Sequence, residues 1–60
     1  MLRVTFLMAL ENQTWETLTV EVPESIGTER EALVKWAETN LARQAQYRKV
    51  VYWGFCGIDE

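Results

Sequence analysis

Residues 2–10 read LRVTFLMAL and form the most apolar strand candidate of the chain. It is rich in strand-forming residues and almost continuously apolar, which is typical of a strand flanked by neighbours on both sides. Alternation along the strand divides its side chains into two sets, Leu2, Val4, Phe6 and Met8 on one face and Arg3, Thr5, Leu7 and Ala9 on the other. We therefore expect this strand at the centre of a sheet.

A second strand is predicted over residues 15–22, WETLTVEV, where apolar and polar side chains alternate. This alternation is typical of an antiparallel strand with one buried face. The short polar segment ENQT at 11–14 predicts a hairpin between the two strands, and Pro23 ends the second because proline cannot donate to a sheet ladder. Leu18, Val20 and Val22 should face the core, with Trp15, Thr17, Thr19 and Glu21 on the opposite face.

A helix is predicted from about Glu29 to about Tyr47. Thr28 as N-cap and Glu31 three residues later fit a capping box. Apolar residues recur at helical spacing and form one stripe, made of Leu33, Val34, Trp36, Ala37, Leu41 and Ala45.

Asn40 and Gln44 interrupt the apolar stripe of the predicted helix. Two interpretations are open. They reach water or a backbone group near the helix end, or they make a polar contact with a partner. We favour the first and keep both residues as candidate partner contacts.

A third strand is predicted in KVVYWGFC, residues 49–56. Because the helix reverses the chain, this strand should run parallel to the second and pair antiparallel with the first. The result is a single α+β domain over residues 1–60, a two-layer ββαβ fold with a three-stranded antiparallel or mixed sheet in the order 2-1-3 and one helix on one face. Alternation assigns Val51, Trp53 and Phe55 to the helix side and Val50, Tyr52, Gly54, Cys56 and Ile58 to the other.

The predicted core is small. Of the 60 residues, 48% are hydrophobic, which is typical of a globular chain, but a domain this short buries only about 60% of its unfolded surface. Cys56 is the only cysteine, so no disulfide within the chain is possible. We expect strong burial of the largest apolar residues and close approach or a bulge at Gly54; the predicted core residues are Phe6, Leu33, Trp36, Leu41 and Trp53.

The composition argues against catalysis and against a bound metal or cofactor. The chain has no histidine to act as a base near neutral pH or as a zinc ligand, and its three glycines are too scattered to form a phosphate-binding loop. Cys56 has no histidine partner to activate it. We expect a protein that is not an enzyme.

The sheet face that the helix leaves bare is either simply solvated or an interface, and it is the candidate binding surface. Its aromatic residues Trp15 and Tyr52 belong to the types that favour interfaces, and Leu7 is a further candidate contact on the same face. The predicted function is a small protein-binding or regulatory module that also self-associates. A homodimer would form edge to edge through residues 50–56 or face to face through the aromatics. With a free cysteine and no visible export signal, we expect it in the cytoplasm.

An alternative function is a small nucleic-acid-binding module. Arg43, Arg48 and Lys49 lie near Tyr47, Tyr52 and Trp53 in sequence, and basic residues among aromatics bind phosphates and stack on bases. The simpler interpretation is that the cations favour the helix C-terminus and the aromatics belong to the core. A net charge of −3 also opposes binding to nucleic acid, and no apolar run is long enough to cross a membrane.

Overall fold

A computed structural model describes residues 1–59 and shows one helix on a three-stranded sheet. The elements are β1 (Leu2–Leu10), β2 (Trp15–Val22), α1 (Arg30–Asn40) and β3 (Val50–Asp59). The sheet order is β2-β1-β3, and β1 pairs antiparallel with both neighbours. The predicted α+β fold and strand order are therefore confirmed. Within residues 1–59, no helix combines the length and apolar character needed to cross a membrane.

The core lies between α1 and one face of the sheet, and Phe6 is at its centre. The Phe6 ring is fully buried, stacks on Trp36 at 6.5 Å and meets Trp53 edge to face at 6.4 Å. Tyr47 packs edge to face on Trp53 at 5.6 Å. Strong burial is confirmed for the predicted core residues except Trp36, which is only partly buried because it lies at the side of α1. The fully buried side chains are Val4, Phe6, Val22, Leu33 and Ala37.

The two connections before the helix each contain one residue with a positive φ. In the β1–β2 turn, the Asn12 Oδ1 accepts hydrogen bonds from the Thr14 backbone N–H at 3.2 Å and from its hydroxyl at 2.6 Å. Gln13 has a φ of 67°. After Pro23, the 3-10 turn Glu24–Ile26 ends at Gly27, whose φ of 89° is strained for any residue with a Cβ.

The helix begins at Arg30, next to the predicted start at about Glu29, but the predicted capping box is absent. Glu29, in extended conformation, is the N-cap of α1, and its carbonyl accepts the first helical bond from the Leu33 N–H at 3.0 Å. No side chain caps this end. Thr28 therefore lies outside the cap position that the Thr28–Glu31 spacing predicted.

The predicted end of the helix at Tyr47 is also wrong, because α1 ends at Asn40. The Ala37 carbonyl accepts from both Leu41 and Ala42, and the backbone then becomes extended at Gln44. A separate 3-10 turn, Ala45–Tyr47, follows. After this break the chain changes direction, and the Tyr47 ring packs against Trp53.

β3 contains two register shifts that alternation could not predict. Val51 and Cys56 are extra residues, opposite the Ala9/Leu10 and Phe6/Thr5 steps of β1. Each such bulge reverses the side-chain alternation of the residues beyond it. Val51 is consequently 67% exposed instead of facing α1. Val50 and Ile58, expected on the other face, pack against the core.

Candidate functional site

The sheet face opposite α1, which we call the bare face, is built from four rows of residues across β2, β1 and β3. At one end the row is Trp15–Ala9–Tyr52. Next come Thr17–Leu7–Gly54 and Thr19–Thr5–Gly57, and the opposite end is Glu21–Arg3–Asp59. Surface character therefore changes along the strands from aromatic, through threonine-rich, to charged.

The aromatic end of the bare face holds two large exposed rings in contact. Trp15 is 61% exposed and Tyr52 is 52% exposed, and their ring centroids lie 6.5 Å apart in an edge-to-face arrangement. Ala9 separates them in the sheet, and its small side chain leaves room for the rings to meet above it. Ala9 is only 9% exposed although no second layer covers this face.

Gly54 allows the Tyr52 ring to lie flat against the strand. A Cβ at Gly54 would stand 3.1 Å from Cε2 of Tyr52 and 3.7 Å from Cβ of Leu7. Gly54 itself is buried. The close approach expected at this glycine is thus made by an aromatic side chain, and the bulges lie on either side of it.

The middle and far rows of the bare face are polar. The hydroxyl groups of Thr5 and Thr19 share a hydrogen bond at 2.9 Å between β1 and β2. Arg3 is flanked by the carboxylates of Glu21 and Asp59, one on each neighbouring strand. These rows give the aromatic end a hydrophilic border, the usual arrangement around an interface centre.

Of the residues predicted to contact a partner, the fold groups Trp15, Leu7 and Tyr52 on the bare face. It leaves Asn40 and Gln44 elsewhere, at the end of α1 and in the segment after it. The Asn40 Nδ2 donates to the Trp36 carbonyl at 2.9 Å, and the Gln44 Oε1 accepts from the Gln46 Nε2 at 2.9 Å. The favoured interpretation of Asn40, a bond to a backbone group, is what the structure shows.

The three cations of the nucleic-acid alternative lie in the exposed segment between α1 and β3. Arg43, Arg48 and Lys49 are all exposed there. The aromatics near them in sequence are engaged elsewhere, since Tyr47 packs on Trp53 and Tyr52 packs on Trp15. Trp53 is buried and Tyr47 is partly buried against it, whereas Tyr52 remains 52% exposed beside Trp15 on the bare face.

A second surface, which the sequence did not predict, is a groove of about 280 Å³ between α1 and the free edge of β3. Tyr52–Phe55 form its strand side. Helix residues form its other side, which we call the helix lip: Arg30, Glu31, Val34, Lys35 and Glu38. The spacing of 30, 34 and 38, four residues apart beside the apolar stripe, was the available signal for this lip.

The described residues, 1–59, contain no group of three Cys, Asp or Glu placed to hold a metal ion. Cys56 is an exposed free thiol. Comparison with known proteins found no matching family model, curated protein or solved structure.

Proposed function

We propose that this chain is a small protein-binding or regulatory module that docks a protein partner on the aromatic end of its bare face. The contact between Trp15 and Tyr52 carries the proposal. Both rings are more than half exposed, although each would gain by burial in an apolar contact. Tryptophan and tyrosine are the residues most often found to dominate the binding energy of protein interfaces.

The mixed polarity of the bare face supports a protein partner over a membrane. Beside the rings, the threonine rows offer hydrogen-bond donors and acceptors. The Glu21–Arg3–Asp59 row offers charges of both signs. A protein surface supplies matching donors, acceptors and charges, whereas an anionic lipid surface requires a basic face.

The proposal includes a non-enzymatic role, a cytoplasmic location and association of the chain with itself. The non-enzymatic role is supported by the lack of histidine. The exposed thiol of Cys56 suits a reducing compartment. Self-association is supported by the small size of the domain and by the uncharged free edge of β3.

Partner binding is tested by capture from a host extract with three matched variants. Trp15→Lys and Tyr52→Lys each place a charge in the aromatic contact. Val51→Lys is the control, because it places the same charge at an exposed apolar residue outside that contact. We expect a captured partner to be retained by the wild type and by Val51→Lys. The other two variants should lose at least about 2 kcal/mol of binding energy. Equal capture by all four chains would contradict the proposal.

A further inference from the structure

The free edge of β3 has unpaired backbone groups at two known positions. In β1, the Leu10 N–H bonds the Thr14 carbonyl in the hairpin, whereas the Glu11 N–H bonds the Lys49 carbonyl. Because ladder bonds alternate along a strand, odd-numbered residues of β1 bond towards β3. Tyr52 and Gly54, opposite Ala9 and Leu7, are thus bonded to β1. Trp53 and Phe55 direct their N–H and carbonyl groups away from the sheet.

From Val50 to Ile58 this edge has neither the charged side chains nor the proline that discourage pairing with another strand. The opposite edge strand, β2, carries Glu16 and Glu21. The bulges at Val51 and Cys56 limit the regular part to Tyr52–Phe55. That part lies along the groove beside α1, so the helix does not cover it.

We propose that a second copy of this chain occupies the groove, pairing β3 with β3 antiparallel around a two-fold axis at Gly54. Trp53 of each copy then pairs with Phe55 of the other, and four backbone hydrogen bonds form from the groups that point outwards. The two sheets become one sheet of six strands with both helices on the same side. The inference rests on the proposed self-association, and not on partner binding by the bare face.

The Gly54-centred register is favoured by the side chains on both faces. On the helix side, the partly exposed Phe55 ring lies against the buried Trp53 of the second copy. On the bare face, the two opposed Gly54 residues lie about 4.5 Å apart between Cα atoms, the ordinary spacing of such a pair, and they place no side chain between the two Tyr52 rings. Centring the axis one residue away would pair either Trp53 or Phe55 with itself and leave fewer bonds.

The charges of the helix lip fit a second copy better than an unrelated segment. All four charged residues of the lip are exposed, and Val34 between them is partly buried. Among residues 1–59, the only ion pair joins the Met1 amino group to Glu24, so the lip charges are unpaired in the monomer. When two copies of α1 lie antiparallel about Val34, Arg30 faces Glu38 of the second copy. Glu31 comes within reach of Lys35 of the second copy.

The test combines mass measurement with a charge swap at exposed positions. Sedimentation equilibrium of the wild type from micromolar to millimolar concentration should approach twice the chain mass of 7.0 kDa. Arg30→Glu or Glu38→Arg alone should raise the dissociation constant about tenfold, because each creates two like-charged contacts across the axis. The double variant Arg30→Glu/Glu38→Arg should restore association. Glu16→Arg, on β2, is the matched control and should have no effect.

Amide hydrogen exchange locates the contact and separates this inference from the proposed function. The Trp53 and Phe55 amides should become protected as concentration rises, while Trp15→Lys leaves the dimer intact. A monomeric mass at every concentration would overturn both self-association and the edge pairing. Association that Trp15→Lys abolishes, without protection of the Trp53 and Phe55 amides, would overturn the edge pairing alone and show a face-to-face dimer.

Discussion

Val22 and Val51 are identical side chains that the fold places in opposite environments, one buried and one exposed. Val22 ends β2 with no exposed surface, packed in the core beneath α1. Val51 is the extra residue of a bulge and is 67% exposed. The first side chain loses its contact with water on folding, whereas the second keeps most of it.

Replacing each valine by alanine tests the bulge. Val22→Ala removes buried methyl groups and leaves a cavity, so it should lower the free energy of unfolding by about 2 kcal/mol. Val51→Ala should change it by less than about 0.5 kcal/mol. Urea unfolding followed by tryptophan fluorescence measures both. Similar losses in the two variants would place Val51 in the core and exclude the bulge.

The faces of β1 and β2 were predictable because strict alternation holds along both strands, and Trp15 and Leu7 were assigned to the bare face on that basis. β3 was only partly predictable. A bulge inserts one residue without changing the composition of a strand, so VVYWGFC alternates in sequence but not in space. Tyr52 was nevertheless placed correctly, because it lies between the two bulges and keeps its phase with Trp53.

The C-terminal end of α1 was less predictable from the sequence than its N-terminal start. The apolar spacing continues through Ala45, and nothing local forbids a longer helix. In the structure α1 ends at Asn40, the backbone is extended at Gln44, and the Tyr47 ring then makes a tertiary contact with Trp53. Sequence periodicity reports amphipathic character and contains no information on such a contact.

Proline scanning distinguishes the short helix from the long one. Ala45 is exposed and is the first residue of a 3-10 turn, after an extended Gln44, which is a position that accepts proline. Ala45→Pro should change the free energy of unfolding by less than about 1 kcal/mol. Lys35→Pro, at an exposed position inside α1, should cost about 3 kcal/mol or more. A comparable loss in Ala45→Pro, measured by thermal unfolding, would mean that the helix continues to Tyr47.

The segment after α1 contains the three cations on which the nucleic-acid alternative depends. Arg43, Arg48 and Lys49 are exposed, but the chain carries a net charge of −3, and the neighbouring Tyr47 ring packs against the core. We expect no change in the fluorescence anisotropy of labelled single-stranded or double-stranded oligonucleotides at low salt. A rise that falls steeply with added salt, and is lost in Arg48→Glu/Lys49→Glu, would instead support a nucleic-acid-binding module.

The free edge of β3 and the aromatic end of the bare face can be occupied at the same time. The edge of β3 is one side of the sheet, whereas the bare face is the broad surface opposite α1. Pairing through the edge therefore leaves Trp15 and Tyr52 uncovered in both copies, and places the two aromatic contacts on the same side of the six-stranded sheet. A dimer of this kind would present two equivalent sites to a partner, which raises avidity when the partner is also repeated.

Engineered cysteines test the position of the two-fold axis. In a Cys56→Ser background, Gly54→Cys places one thiol beside its own copy at a Cα separation of about 4.5 Å, which a disulfide can span. A Cβ at position 54 would stand 3.1 Å from Cε2 of Tyr52, so this ring has to shift slightly to admit the new side chain. We expect rapid oxidation to a covalent dimer, seen on non-reducing gels.

Thr17→Cys in the same background lies on β2, about 24 Å from its copy across five strand spacings, and should remain monomeric. The wild type is a further control, because its Cys56 thiols lie about 14 Å apart in the proposed register. Crosslinking of Thr17→Cys but not of Gly54→Cys would show that the copies meet through the bare face and would exclude an axis at Gly54.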